Sequence, residues 1–238
     1  AGGFGDDGSE NIIKCGSFTT DGSGNASVSL GYEPQWIMAK ASSGTVSDWF
    51  MYDNMRGLDV SNGAYLRANG TATETAVSPM RINSTGFSVA NSTFDASSTY
   101  IYIAIRRPMK TPESGTEVYT AVSASTSPYP TTVTSGFPVD MVIMGDQPTT
   151  WGYNWSVSDR LRGGSDVLFT SSNAAENTGS NTTLDSNTGL TNGWVSGGTT
   201  GIFQMFKRAT GFFDVVAYTG DGVSTRTVAH NLGVTPEF

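Results

Sequence analysis

The chain of 238 residues contains one histidine, His230, and one cysteine, Cys15. One histidine allows at most one Ser-His-Asp triad and excludes a metal site built from several imidazoles. It stands before Asn231, Leu232 and Gly233 and reads as a turn residue. One cysteine excludes an intrachain disulfide framework and a cysteine zinc cluster. Cys15 reads as an ordinary small thiol, buried or half-buried. Basic residues are also scarce, 13 Lys and Arg against 21 Asp and Glu, for a formal charge of −8. Apart from the pairs Arg106-Arg107 and Lys207-Arg208 they are scattered. Phosphate recognition needs a basic face, so no nucleic-acid partner is expected. No apolar run approaches the roughly 18 residues of a membrane helix. The start of the chain has neither the basic nor the apolar region of a signal segment. No membrane insertion is expected, and no segment shows a convincing helical period.

What the chain does have is Gly, Ser, Thr and Asn around a modest 37% of hydrophobic residues, a balance that suits turn-rich β-structure. One phrase occurs three times: a glycine, a proline two or three residues later, then an apolar run. It appears as Gly31, Pro34 and Trp36-Ile37-Met38-Ala39, as Gly136, Pro138 and Met141-Val142-Ile143-Met144, and as Gly233, Pro236 and Phe238. This is a turn feeding an interior strand. Copies about 100 residues apart are too distant for solenoid or propeller repeats, whose periods are about 20–50 residues. They predict whole domains in tandem.

The first unit opens with Ser17-Phe18-Thr19, turns through Asp21-Gly22-Ser23-Gly24-Asn25, and resumes alternation at Ala26-Ser27-Val28-Ser29-Leu30, which reads as a hairpin. After the organising strand each unit has an Asp-x-x-Arg-Gly cluster, at 53/56/57 and at 159/162/163. Polar loops with Glu74 or Glu176 follow. Gly86-Phe87-Ser88-Val89 is matched with Gly193-Trp194-Val195. The units close on Thr99-Tyr100-Ile101-Tyr102-Ile103-Ala104-Ile105 and on Gly201-Ile202-Phe203-Gln204-Met205-Phe206. These signals predict an all-β chain of two tandem antiparallel β-sandwiches plus the opening strands of a third. The expected layout is a linker at 1–14, a first sandwich at 15–109, a linker at 110–117, a degenerate second sandwich at 118–211, and a truncated third copy at 212–238. Both ends read as cuts through a longer polypeptide. Pro34 and Pro138, and Arg56 and Arg162, are expected at equivalent places. Trp36, Ile37, Met38, Tyr102, Ala104, Val142, Met144, Phe203 and Met205 are expected in the cores.

This series resembles the tandem β-domain of tailed-bacteriophage tail proteins. The residues that carry it are the Thr-Asp-Gly turn, the G-x-x-P strand, the Asp-x-x-Arg-Gly cluster, the Asn-Gly-Thr-Ala-Thr-Glu loop at 69–74 and the Tyr-rich closing strand. The resemblance implies a concanavalin- or jelly-roll-like, lectin-like sandwich and a place in the virion tail, outside the cell. It also implies docking to other tail proteins, a homo-oligomer, and contact with a host-surface glycan or receptor.

Little of the sequence suggests chemistry. Asp21-Gly22-Ser23-Gly24-Asn25 spaces oxygen side chains like a calcium loop. Ala26 falls where that loop needs Gly, though, and Tyr32 where it needs Glu, so a tight turn is the reading. A retaining glycosidase needs two carboxylates about 5 Å apart. Only Glu113 with Glu117 and Asp6 with Glu10 have a suitable spacing, and both pairs lie in linkers. Asp53 with Arg56, and Asp159 with Arg162, read as turns with local ion pairs, with a ligand-holding role as the alternative. Trp36, Trp49, Trp151, Trp155 and Trp194 read as core, with sugar stacking as the alternative. No catalytic, metal or cofactor site is expected. The leading expectation is a non-enzymatic structural segment of a phage tail fibre or tail tip. A carbohydrate- or receptor-binding module comes second, and a tail-associated glycanase third.

Overall fold

The alternating runs become strands wherever one face can be buried. The computed structural model describes residues 12–44, 47–60, 63–76, 79–90, 93–107, 110–147, 155–195, 200–218 and 220–237. The chain is all-β and forms two compact units, 1–108 with 216–229 and 109–215 with 230–238.

The first unit contains β1 (Ile13–Thr19), β2 (Ala26–Ser29), β3 (Pro34–Ala41), β4 (Phe50–Asp53), β5 (Tyr65–Arg67), β6 (Arg81–Asn83), β7 (Gly86–Val89) and β8 (Thr99–Arg106). One antiparallel sheet runs β1-β8-β3-β4-β5 and a second runs β2-β7-β6. The second unit contains β9 (Tyr119–Ser125), β10 (Thr131–Thr134), β11 (Met141–Gln147), β12 (Ser156–Asp159), β13 (Leu168–Phe169), β14 (Gly189–Asn192) and β15 (Thr200–Phe206). Its sheets run β9-β15-β11-β12-β13 and β10-β14. The order of the five-stranded sheet is the same in both units, and so is its register, while among the described residues the second sheet has one strand fewer in the second unit. Ile37 lies opposite Ala104 and Tyr52, as Val142 lies opposite Met205 and Ser158.

That register corrects several expectations. β1 and β2 do not form a hairpin. β1 pairs with β8 and β2 with β7, so the Asp21 turn is a corner between sheets. Gly86 is matched by Gly189, not Gly193. Gly86 faces Ser29 and Gly189 faces Thr134 in equivalent pairs. A Cβ on either would strike a carbonyl oxygen, that of Val28 at 1.9 Å or of Val133 at 2.1 Å, so only glycine allows the strands to approach. Counting from Gly31 and Gly136, both at positive φ, Val139 takes the place of Pro34, and Pro138 falls one residue earlier. A proline is tolerated either as the first residue of a strand, as Pro34 is, or just before it, so one residue of drift is allowed. Residues 214–218 and 220–237 form no strand, so the opening strands expected for a third copy are not formed.

Alternation sets the core. Ile37, Ala39, Tyr100, Tyr102 and Ala104 are buried, with Val142, Met144, Phe203 and Met205 in the second unit. Trp36 and Met38 are only half-buried, because they point to the outer face of the sheet whose inner face holds Ile37 and Ala39. Cys15 is exposed for the same reason, since Phe18 and not Cys15 sets the inward face of edge strand β1. In the first unit the core is a cluster of rings. Phe18 stacks on Tyr100 at 5.4 Å and meets Phe87 edge-on at 5.8 Å, and Phe94 meets Tyr100 edge-on at 5.0 Å. The register places Ala124, Ser156, Ser158 and Gly201 where the first unit has Phe18, Phe50, Tyr52 and Tyr100. The second core is accordingly aliphatic, built on Val133, Val142, Leu184 and Leu190 around Phe203 and Met205.

Candidate functional site

A polar group that both units share sits where the fourth strand of the five-stranded sheet ends. β4 ends at Asp53, whose Oδ1 accepts from the backbone N–H of Arg56 at 2.8 Å and closes the turn. Gly57, at φ 97°, then redirects the chain. The Arg56 side chain turns back. Its Nε donates to Asp53 Oδ2 at 3.0 Å and its Nη1 to Glu74 Oε2 at 3.0 Å. Glu74 is held in reach because Thr75 bridges to Tyr65 in both directions at 3.0 Å.

The second unit repeats this group. Arg162 donates to Asp159 Oδ2 at 2.5 Å and to Glu176 Oε2 at 2.7 Å, and Asn177 bridges to Val167. Burial works against the charge on Arg162, but Asp159 and Glu176 outweigh it and hold the guanidinium above its usual range. In the first unit the hydrogen bond to Glu74 leads the same upward shift of Arg56. Nearby Asp166 is pushed up, first by burial and then by repulsion from Glu176. Each carboxylate of the clamp is engaged by its arginine, so the group ties a strand end to a loop and presents no free acid, base or nucleophile. The sequence marked the Asp and the Arg of each cluster and left the glutamate out of it. The available signal was that Glu74 and Glu176 recur in matching loops.

The second unit adds a buried ionic chain that the sequence reading missed. Arg208 donates to Asp214 at 2.6 Å, with both side chains 2% exposed. The Arg208 N–H donates to Asp140, which also accepts from Arg160. Asp214 in turn accepts from the N–H of Asn231 at 2.8 Å. The turn after β15 and the residues around 231 are thereby pinned together.

A shallow recess of about 550 Å³ opens beside the start of β9. It is lined by Ser114, Gly115, Thr116, Tyr119, Phe206 and Phe212. Tyr119 and Phe206 lie 5.0 Å apart, and Tyr119 and Phe212 are exposed large side chains. Among the described residues no charged side chain lines it.

The other candidates disperse. Asp21 Oδ1 accepts from the N–H groups of Asn25 and Ser23, each at 2.8 Å, and these bonds hold its carboxyl below the usual range. It shapes a turn. His230 accepts from the N–H of Leu232 at 3.3 Å. Glu113 pairs with Lys110 at 2.9 Å, while Asp6 and Glu10 lie outside the described residues. Trp36, Trp49, Trp155 and Trp194 are half-buried and fill no core centre. Lys40 lies over Trp49, Trp155 covers Gly145, Trp194 packs on Phe169, and Trp151 lies outside the described residues. Among the described residues no group of three His, Cys, Asp or Glu could hold a metal ion, and no helix is long and apolar enough to cross a membrane. No curated protein and no solved structure matches the chain. Residues 10–108 match the model of a family described as a domain of unknown function (DUF7483), so the first unit is similar to that family.

Proposed function

We propose that this chain is a non-enzymatic structural segment of a bacteriophage tail, in a fibre or the tail tip. Its sandwiches would act as spacers and docking modules for other tail proteins outside the cell. The observation that carries the reading is what the two units share. The Asp-Arg-Glu clamp recurs with the same atoms paired, at the end of the same strand. The residues kept in both copies therefore maintain strands and turns, as a spacer requires. Peptide mass spectrometry of purified tailed particles that encode the chain, with immunogold labelling, tests this. Label on the tail is expected, and absence from the particle would refute it.

The recess favours a second reading, a carbohydrate- or receptor-binding module, because exposed rings beside the hydroxyls of Ser114 and Thr116 suit a sugar face. A glycan array on the wild type and on Tyr119→Ala separates the two, since a spacer gives no signal that depends on Tyr119. No observation favours a glycanase, and a reducing-sugar assay should stay at background.

A further inference from the structure

Each five-stranded sheet has two edges, and an edge strand offers unpaired N–H and C=O groups to any strand that can reach them. Most edges here are short or guarded. β5 has three residues, β13 has two, and β6 carries Arg81. β1 is long but places Lys14 on its inward side, with Nζ donating to Ser29 O at 3.1 Å. An inward charge of this kind blocks a second sheet from adding there. β9 has no such device. It runs seven residues, Tyr-Thr-Ala-Val-Ser-Ala-Ser, with no charge, proline or glycine, and its pairing to β15 is unbroken from Tyr119 to Ser125. Among the described residues no strand lies on its other side.

The geometry points to β9 as the interface for a second copy of this chain, the two β9 strands pairing antiparallel across a two-fold axis. Three observations fit a second copy as the partner, the third of them specific to self-pairing. β9 and the strand behind it contain no charged residue, so two chains of formal charge −8 can meet there without like-charge contact. Outward side chains Ala121, Ser123 and Ser125 are small and leave the backbone edge accessible. A two-fold through Val122 also sets the exposed ring of Tyr119 on each strand against the small Ser125 end of the other. The large side chain that the recess leaves in water is then covered by a residue that leaves room for it. Such an edge pairing is isologous and closes as a dimer.

The test is sedimentation velocity on the full chain over a wide concentration range, with amide hydrogen exchange measured at both ends of it. Expected are a dimer at high concentration and exchange protection that rises with concentration at 119–125. The double variant Ala121→Lys with Ser123→Lys, on the exposed face, should weaken dimerisation about tenfold or more, while Ser17→Lys on β1 should leave it unchanged. A monomer throughout, or a dimer indifferent to the β9 substitutions, would overturn the inference. If the double variant does not fold, the wild-type exchange decides, because protection that is independent of concentration at 119–125 is equally fatal.

Discussion

A guanidinium between two carboxylates differs in worth with its depth. The Arg56 side chain is 33% exposed, so water already screens its pair, whereas Arg162 is 18% exposed and Asp159 only 7%. Arg56→Ala should therefore cost about 1 kcal/mol. Arg162→Ala, which strands a buried carboxylate, should cost about 3 kcal/mol. Urea unfolding of the two variants checks the ordering. The acids predict opposite responses to pH. The carboxyl of Asp21 is lowered by backbone donors, so its contribution is present above the unfolded pKa and is lost as pH falls through the lower folded value. That of Asp166 is raised, so its burial is better tolerated when neutral, and it weakens the fold as pH rises through the folded value. Melting curves across the acid range should show Asp21→Asn removing part of the acid sensitivity. They should show Asp166→Asn raising the melting temperature near neutrality.

At the level of strands, the paired glycines make the sharpest claim. Gly86→Ala and Gly189→Ala should each cost about 3 kcal/mol, because the obstruction is backbone on the facing strand and cannot rotate away. Denaturant titration of both tests the equivalence as well as the cost, since a harmless Gly189→Ala would break the match. The strands themselves were legible in the sequence because alternation marks a half-buried strand wherever it is regular, as in 99–105 and 26–30. Pairing was less legible. The Asp21 turn has a hairpin's composition, and nothing local distinguishes a turn within one sheet from a corner between two. Trp36 and Met38 misled because hydrophobicity alone does not say which face of a strand is inward; the partners Tyr52 and Ala104 decide it. The 215–218 and 227–232 runs alternate as strands do, yet Asp214 and Asn231 are held by Arg208 and its neighbours. The clamp was half-visible, since Asp and Arg are three residues apart while Glu is brought in by the fold.

For the whole molecule, two sandwiches with one topology carry unlike cores, rings in the first and mainly aliphatic side chains in the second. Phe203 is fully buried in the second, and Phe203→Ala should cost about 3–5 kcal/mol. Calorimetry of the full chain should show this as a shift in one transition while the other stays in place. A common shift of both would mean that the units melt as one. The corner at Asp21 has a further consequence, for how each unit comes to exist. Because the first strand pairs with the last, Phe18 with Tyr100 and Val122 with Phe203, local hairpins such as β6-β7 and β3-β4 can form early but leave the first strand unpaired. On a ribosome, β1 leaves the exit tunnel and stays unpartnered until β8 follows, and the same holds for β9 and β15. Closure of each five-stranded sheet is thus a late event that depends on distant contacts. Topologies of that kind fold in about milliseconds to seconds.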